Sequence, residues 1–348
     1  MDVVELAKEL ISIDSTTGRE GHVSALIAER LKQNGWIVTT QPIPGGDPSI
    51  REDRMNVLAL SDESGPPDLI VTTHVDTVPP FFPLTERDGR LFGRGSCDAK
   101  GILAAEWVAI ERLRARGFER VGLLAVVGEE TNSIGAKRAP ELLPKARYLI
   151  DGEPTRLIPA SAMKGVLGFR ATAKGVAGHS AYPERGHSAV HEIVRGLARL
   201  IEEVMPGEPE FGATTVNVGL VEGGAAMNVI APAARAEIMI RLATASEKVL
   251  ERARAALGPG VEIEIHTCAE PRRIHVPLGF QGEPVSFGSD VPYLSAIGTT
   301  LLVGPGSIHD AHTDHESIGK DELLAAVDLY ERLGERLLQA GARATPRA

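Results

Sequence analysis

Three histidines stand at intervals of three in the segment IHDAHTDHES, residues 308–317, together with two aspartates and a glutamate. These histidines are His309, His312 and His315. Imidazole nitrogens and carboxylate oxygens are suitable ligands for Zn²⁺. A histidine-rich tract can also be a solvated loop, so the segment alone does not show whether it binds a metal, or through which histidine.

Other candidate ligands follow short apolar runs that are typical of buried strands. The runs LIVTT, LLAVVG, YLI and TLLVG are followed, respectively, by His74 and Asp76, by Glu129 and Glu130, by Asp151 and Glu153, and by His312. In open α/β sheets, ligands bind at the carboxyl ends of the strands. We therefore expect these side chains to meet at one edge of a sheet.

Five residues form the predicted metal-ligand set, which consists of His74, Asp98, Glu130, Glu153 and His312. Five such groups exceed what one tetrahedral zinc takes, and they fit two ions roughly 3.5–4 Å apart with one bridging carboxylate. Asp98 is the candidate bridge, because its loop, GRGSCDAKG, starts a helix and is flanked by glycines that permit close approach. Taken alone, an aspartate at this position is more often a helix cap than a ligand.

The adjacent acids Glu129 and Glu130 need separate roles, because neighbouring side chains point apart. One can bind metal while the other faces the substrate. Glu129 is predicted to be the general base, which takes a proton from an activated water and returns it to the leaving amine. Asp76, two residues from His74 on an extended strand, is predicted to hydrogen-bond the second ring nitrogen of His74.

An α/β scaffold is predicted to position these residues. Helical patterns at about 20–34, 99–116, 187–204 and 320–340 alternate with apolar runs that are typical of buried, mostly parallel strands. Within residues 162–270 the pattern changes to alternating segments, typical of half-exposed antiparallel strands. This predicts a metal-binding catalytic domain from residues 1–161 and 271–348, with a second domain, 162–270, inserted between its halves.

Composition excludes several kinds of partner. The chain of 348 residues has a formal net charge of −10, which argues against nucleic acid or an anionic membrane surface. No apolar run reaches the ~18 residues that a membrane helix needs. The N-terminus has acidic residues where a signal peptide would have basic ones, and two distant cysteines, Cys97 and Cys268, give no disulfide framework. The expected location is the cytoplasm.

Seven motifs occur in the order found in a known family and cover nearly the whole chain. They are THVDTVP, GRGSCDAKG, GEE, DGEPT, GHSAYPERGHSA, GGAAMNV and GPGSIHDAHTDHESI. In these motifs the sequence resembles the zinc-dependent deacylases and exopeptidases typified by acetylornithine deacetylase, succinyl-diaminopimelate desuccinylase and glutamate carboxypeptidase. The resemblance implies two Zn²⁺ ions per subunit, for which Co²⁺ can substitute, with the five ligands above, Asp98 as bridge and Glu129 as base.

The resemblance also selects one of the three histidines. The family's final ligand lies in an AHTxxE context after GPG, which here is His312, and neither His309 nor His315 has a metal role there. The fold that it implies is a mostly parallel-sheet di-zinc catalytic domain with an inserted α+β, ferredoxin-like domain, which acts as a lid and forms a homodimer.

Three residues of the lid have roles that only the resemblance implies. His179 would reach into the partner subunit's site and stabilise the oxyanion, and Asn228 and Arg241 would anchor the substrate. The sequence departs from the family pattern at Ile240, where aspartate is frequent, and at His187, where asparagine is common.

The predicted function is that of a metal-dependent amidohydrolase. It removes an acyl group, expected to be acetyl, from an N-acyl amino acid such as acetylornithine or acetyl-lysine. The alternatives are a dipeptidase, carboxypeptidase or desuccinylase of the same family, with a dipeptide among the expected substrates, or a metal-binding pseudoenzyme. A pseudoenzyme has no need of the predicted base, Glu129.

Overall fold

The computed structural model describes residues 1–45 and 53–342 of the chain. Within them, the helices are α1 (Val3–Ile11), α2 (Gly21–Gln33), α3 (Lys100–Ala115), α4 (Glu129–Asn132), α5 (Ile134–Leu142), α6 (Ala189–Glu202), α7 (Ser246–Leu257), α8 (Val291–Leu294) and α9 (Lys320–Ala342). The strands are β1 (Ile37–Pro42), β2 (Met55–Leu60), β3 (Leu69–His74), β4 (Thr85–Arg87), β5 (Arg90–Phe92), β6 (Val121–Val126), β7 (Tyr148–Asp151), β8 (Ala160–Met163), β9 (Gly165–Lys174), β10 (Thr215–Gly223), β11 (Ala233–Leu242), β12 (Val261–Ala269), β13 (Arg272–Arg273), β14 (Glu283–Val285), β15 (Thr299–Leu302) and β16 (Ser317–Gly319).

The chain divides into two compact units. Unit 1 comprises Met1–Ala160, Ile274–Glu283 and the residues from Ser289 onward. Unit 2 comprises Ser161–Arg273 and Pro284–Gly288. The prediction placed the inserted domain at 162–270, and its role as a lid stays a prediction.

Unit 1 is built on a six-stranded sheet in the order β1-β2-β6-β3-β7-β15. Strands β6, β3, β7 and β15 run parallel, and β1 and β2 form an antiparallel edge. Strands β3 and β6 are buried along their whole length, which agrees with their continuous apolar sequence. The prediction of an α/β fold with a mostly parallel sheet is confirmed.

Successive side chains of the parallel strands face two different hydrophobic layers. Leu69 and Val71 of β3 belong to a core that includes residues of α1, α2, α3 and α9. Ile70 lies between them in sequence and belongs to a second core with residues of α5 and α8. Both faces of the sheet are therefore covered by helices, and its strand ends are left to carry polar groups.

Unit 2 follows the chain order β9, α6, β10, β11, α7, β12, with an antiparallel sheet ordered β10-β11-β9-β12. This is the ferredoxin-like arrangement that was predicted. One face of the sheet contacts α6 and α7 through residues such as Phe169, Ile193 and Ile238. Helix α7 was missed by the sequence analysis, although SEKVLERARAAL buries Val249 and Ala253 at helical spacing.

No helix in the described residues is both long and apolar enough to cross a lipid bilayer.

Candidate metal centre

The predicted ligands lie where strands of unit 1 end or helices begin. His74 is the last residue of β3, and Glu130 lies in α4, which follows β6. Glu153 follows β7 by two residues, and Asp98 precedes α3 by the same interval. His312 belongs to the segment between β15 and β16. The parallel topology thus delivers four of these groups to the carboxyl side of the sheet, as expected from the sequence.

Asp98 contacts two histidines through different carboxylate oxygens. Its Oδ1 lies 3.0 Å from Nε2 of His74, and its Oδ2 lies 3.3 Å from Nε2 of His312. The Asp98 and His74 side chains are almost fully buried, whereas the His312 side chain is 49% exposed. A carboxylate with one oxygen near each of two imidazoles has the geometry expected of a bridge between two cations.

Glu130 joins the same cluster from the His312 side. Nε2 of His312 lies 3.1 Å from Oε1 of Glu130 and 3.0 Å from its Oε2. His74, Asp98 and Glu130 each offer a ligand atom, and these atoms all lie within 4.8 Å of one another. Glu153 is buried, and the electrostatic interactions on its carboxyl include those of Asp98 and His74.

The charges of these groups indicate which kind of ion the cluster would bind. Hydrogen bonds to Asp98 and Glu130 raise the pKa of His312 to about 10. Burial raises the pKa of Glu153 well above its usual range, and the negative charge of Asp98 raises it further. Burial also opposes ionisation of Asp98, but hydrogen bonds from His312 and His74 outweigh it and lower the pKa of that carboxyl. Ionised carboxylates in such a buried site require positive charge nearby. Divalent cations supply it when they are coordinated by carboxylates and neutral histidines.

Of the three histidines in residues 308–317, the structure brings only His312 to Asp98 and Glu130. Its backbone has a φ of 63°, in the left-handed region that non-glycine residues rarely adopt and that often marks functional sites. His315 instead pairs with Asp314 at the surface, and the backbone amide of His309 donates to the Ser307 hydroxyl.

Both the backbone carbonyl oxygen and the carboxylate of Asp76 lie beside the second ring nitrogen of His74. Nδ1 of His74 is 2.9 Å from the backbone carbonyl oxygen of Asp76 and 3.5 Å from the carboxylate Oδ1. The carboxylate also accepts from the backbone amides of Glu129, at 3.0 Å, and Glu130, at 3.2 Å. Asp76 therefore fixes the turn that carries both glutamates, because its two oxygens satisfy amides at the start of α4.

Thr17 completes the environment of Asp76 and was not found by the sequence analysis. Its hydroxyl donates to Oδ2 of Asp76 at 2.8 Å, and its backbone amide donates to the Thr77 carbonyl at 3.0 Å. Burial raises the pKa of Glu129 well above its usual range. The loop after α1 thus takes part in holding the turn of the predicted base, although it lies far from that turn in sequence.

The three residues with predicted roles in the lid, His179, Asn228 and Arg241, lie in unit 2. The His179 backbone bridges to Val229, and the Asn228 carbonyl accepts from the Ser180 amide at 3.0 Å, so unit 2 brings His179 and Asn228 into one loop cluster. Arg241 lies in β11. Among the residues that the structure describes, its guanidinium has no hydrogen bond or ion pair.

Comparison with known proteins gives consistent matches over most of the chain. The sequence model of the family described as Peptidase family M20/M25/M40 matches residues 70–336. A protein of Aspergillus terreus named "Probable carboxypeptidase" is 38% identical over 366 residues, a match that covers 94% of this chain and 84% of that protein.

Two solved structures illustrate the similarity of the fold. The aminopeptidase PepT of Bacillus cereus matches with a TM-score of 0.77 and 20% identity, over 97% of this chain and 98% of that chain. The M20 family metallo-carboxypeptidase Sso-CP2 of Sulfolobus solfataricus matches with a TM-score of 0.74 and 17% identity, over 97% of this chain and 99% of that chain. At these identities the structural matches establish the fold alone.

Replacing Thr17 with valine should slow turnover and leave metal binding intact. The variant removes the hydroxyl that donates to Asp76 and keeps the volume of the side chain, so the turn at Glu129 loses one of its supports. We expect kcat to fall roughly ten-fold with little change in KM, as for a lost hydrogen bond to a buried charge. Thr17→Ser keeps the hydroxyl and should behave nearly as wild type. Equal kcat for all three proteins would show that this hydrogen bond has no role in catalysis.

Proposed function

Because the chain belongs to peptidase family M20/M25/M40, we propose that it is a metal-dependent exopeptidase that hydrolyses an amide bond beside a free α-carboxylate. Membership makes it a hydrolase of amide or peptide bonds, and the resemblance drawn from the seven motifs is confirmed. The observation that carries the proposal is the position of Asp98, which directs one oxygen to each of two histidines.

Two cations fit this ligand set. His74, Asp98 and Glu153 would hold one of them, and Asp98, Glu130 and His312 would hold the other. Imidazole nitrogens and carboxylate oxygens suit Zn²⁺, and Co²⁺ is the expected substitute. Asp98 would be shared, which agrees with its position between the two imidazoles.

Glu129 would accept and then donate the proton that is transferred during hydrolysis. Bound cations of this kind lower the pKa of a water toward ~7 and polarise a carbonyl group. Glu129 would take a proton from the attacking water as its oxygen adds to the carbonyl carbon, and would deliver that proton to the nitrogen as the C–N bond breaks. Asp76 holds Glu129 through its backbone amide and leaves the glutamate carboxyl free for this transfer.

The substrate class is supported by the named relative and by Arg241. The carboxypeptidase-named relative spans nearly the whole chain, which favours a peptide with a free C-terminus. Arg241 lies beside Lys164, which is buried, and both burial and the neighbouring guanidinium lower the pKa of that lysine. Within residues 1–45 and 53–342 no anionic side chain pairs with Arg241, so two adjacent cations would favour a substrate carboxylate there.

Deacylation of N-acyl amino acids, with an acetyl or succinyl group, is the second candidate. The bond is chemically the same, since an acyl group is joined to an amino acid with a free carboxylate in both cases. The motifs shared with acetylornithine deacetylase favour this activity. Acetylornithine and acetyl-lysine are therefore tested beside dipeptides.

A substrate panel assayed with Zn²⁺ and with Co²⁺ tests the proposal. We expect cleavage of dipeptides to exceed that of N-acetyl- and N-succinyl-amino acids in kcat/KM, and we expect a C-terminal amide to abolish it. Chelation should remove activity, and either metal should restore it, because the ligand set fits both ions. Faster cleavage of an acyl-amino acid would move the assignment to the second candidate, and activity that survives complete metal removal would refute both.

Glu129→Gln should retain the metals and lose turnover. The substitution removes the proton acceptor and keeps the shape of the side chain, so we expect kcat to fall by at least ~10²-fold, the usual range for a lost general acid–base group. Metal content, measured by elemental analysis, should match that of the wild type. Full turnover would rule out Glu129 as the base, and if the wild type turned over no amide at all, a metal-binding pseudoenzyme would be favoured.

We also propose a homodimer formed through unit 2, in which His179 serves the partner's site. Strand β10 is an edge strand, and its Leu220 and Val221 are 43% and 51% exposed. Val194 and Ile201 of α6 are 53% and 63% exposed. An edge strand beside exposed apolar side chains is typical of an association surface, which supports a second copy as the occupant.

Co-expression of His179→Ala and Glu129→Gln chains tests whether His179 acts in the partner's site. Each variant alone should be nearly inactive. If His179 acts across the dimer, the mixture should regain about a quarter of the wild-type activity, because half of the dimers are mixed and each has one intact site. No recovery in mixed dimers isolated with two affinity tags would place His179 in its own subunit's site, and full activity of His179→Ala alone would place His179 outside catalysis.

A further inference from the structure

We propose that Glu316 is a positioning residue that aligns the bridging carboxylate of the metal centre, by joining the loop that carries Asp98 to the loop that carries His312. The inference rests on the proposed roles of Asp98 and His312 as ligands. Glu316 lies outside the predicted ligand set, and it occupies the last position of the AHTxxE motif.

One oxygen of Glu316 accepts three hydrogen bonds from a single loop. Its Oε1 lies 2.9 Å from the backbone nitrogen of Gly95, 3.1 Å from that of Cys97 and 3.1 Å from that of Asp98. Amides that converge on one ionised oxygen fix the backbone of that loop. Since the amide of Asp98 is one of the three, the backbone position from which its side chain extends is restrained with it.

The other oxygen of Glu316 pairs with Arg94. Nη1 of Arg94 lies 2.5 Å from Oε2, and the two side chains are only 2% and 1% exposed. Arg94 is itself held, because its Nε donates to the Pro80 carbonyl and its guanidinium lies over the Phe82 ring. The Glu316 carbonyl also accepts from the Gly93 amide at 3.1 Å. A buried carboxylate held from both sides has little freedom to move.

The backbone at Gly95 restricts the conformations that the Asp98 loop can adopt. Gly95 has a φ of 87°, and a Cβ atom there would meet the Lys100 side chain at 2.4 Å. The loop therefore has to approach its neighbours closely, and Glu316 supplies the acceptor for amides that turn inward. Buried backbone donors without an acceptor are costly, so loss of Glu316 would let the loop rearrange.

Loss of Glu316 is expected to weaken metal binding more than it destabilises the fold as a whole. Glu316 follows His312 by four residues and directly precedes β16, which pairs with β5. The same short segment thus carries one ligand and aligns the residue that both cations share. If the Asp98 loop shifts, Oδ2 of Asp98 moves away from His312. We then expect weaker binding of the second ion, the one that Asp98, Glu130 and His312 would hold.

Metal titration of Glu316→Gln in the full chain tests the inference. Glutamine cannot satisfy both partners, because its NH₂ group must face either Arg94 or the three amides. We expect wild type to bind two equivalents of Co²⁺ and the variant to bind the second at least about 10-fold more weakly, within the range seen when groups behind metal ligands are changed. Visible absorption of the Co²⁺ protein and elemental analysis report this independently of activity.

Glu111→Gln is the matched control. Glu111 of α3 is a partly buried glutamate that accepts from the Trp36 indole nitrogen at 2.7 Å, and within the described residues it has no hydrogen bond with the Asp98 loop. At pH 7.5 this variant should keep two equivalents at wild-type affinity. If Glu316→Gln does not fold, Glu316→Asp carries the test, because it keeps the charge and shortens the reach to the amides, and a weaker second equivalent is again expected.

The outcomes separate this inference from the proposed function. Two equivalents at unchanged affinity in a folded Glu316 variant would overturn the positioning role and leave the metal assignment intact. Equal weakening in the Glu111 control would show that the effect is general destabilisation and would also overturn it. Failure of the wild type to bind two equivalents would instead refute the proposed metal centre.

Discussion

The buried carboxylates of Asp98 and Glu153 repel each other near the carboxyl edge of the sheet, and the local structure depends on how that charge is balanced. Like charges held in a largely buried site cannot all ionise without nearby positive charge. Here His74 and His312 face opposite oxygens of Asp98, which is the arrangement that a pair of cations would stabilise. Geometry and charge therefore favour the same kind of ligand.

Two further carboxylates keep this cluster in place without belonging to it. Asp76 accepts the amides of Glu129 and Glu130, and Glu316 accepts those of the Asp98 loop. In both cases a buried acid from one segment satisfies backbone donors of another. Such hydrogen bonds to an ionised acceptor are stronger than neutral ones. The loops that carry the reactive groups are thus fixed by main-chain contacts, and their own side chains stay free for metal and substrate.

The two proposed substrate classes, peptides and N-acyl amino acids, contain the same kind of amide bond. What separates these substrates is the group on the acyl side and the way the carboxylate is held. Arg241 is the candidate for the second task, and it belongs to unit 2 rather than to the unit that carries the metals. In this proposal the metal ligands belong to unit 1 and the substrate anchor belongs to unit 2.

The amino-acid sequence was sufficient to predict the α/β class, most of the main elements and the candidate ligands, since apolar runs mark buried strands and reactive residues follow where those strands end. Periodicity also placed α3 and α9 closely, although α7 was missed. The folded chain was needed to show that the Asp76 carboxylate accepts from the amide of Glu129, 53 residues away, and that Glu316 accepts from the amide of Asp98 across 218 residues. The reason is physical: a strand or helix has a period that the sequence records, whereas the partner of a buried carboxylate is whichever donor the folded chain brings within about 3 Å.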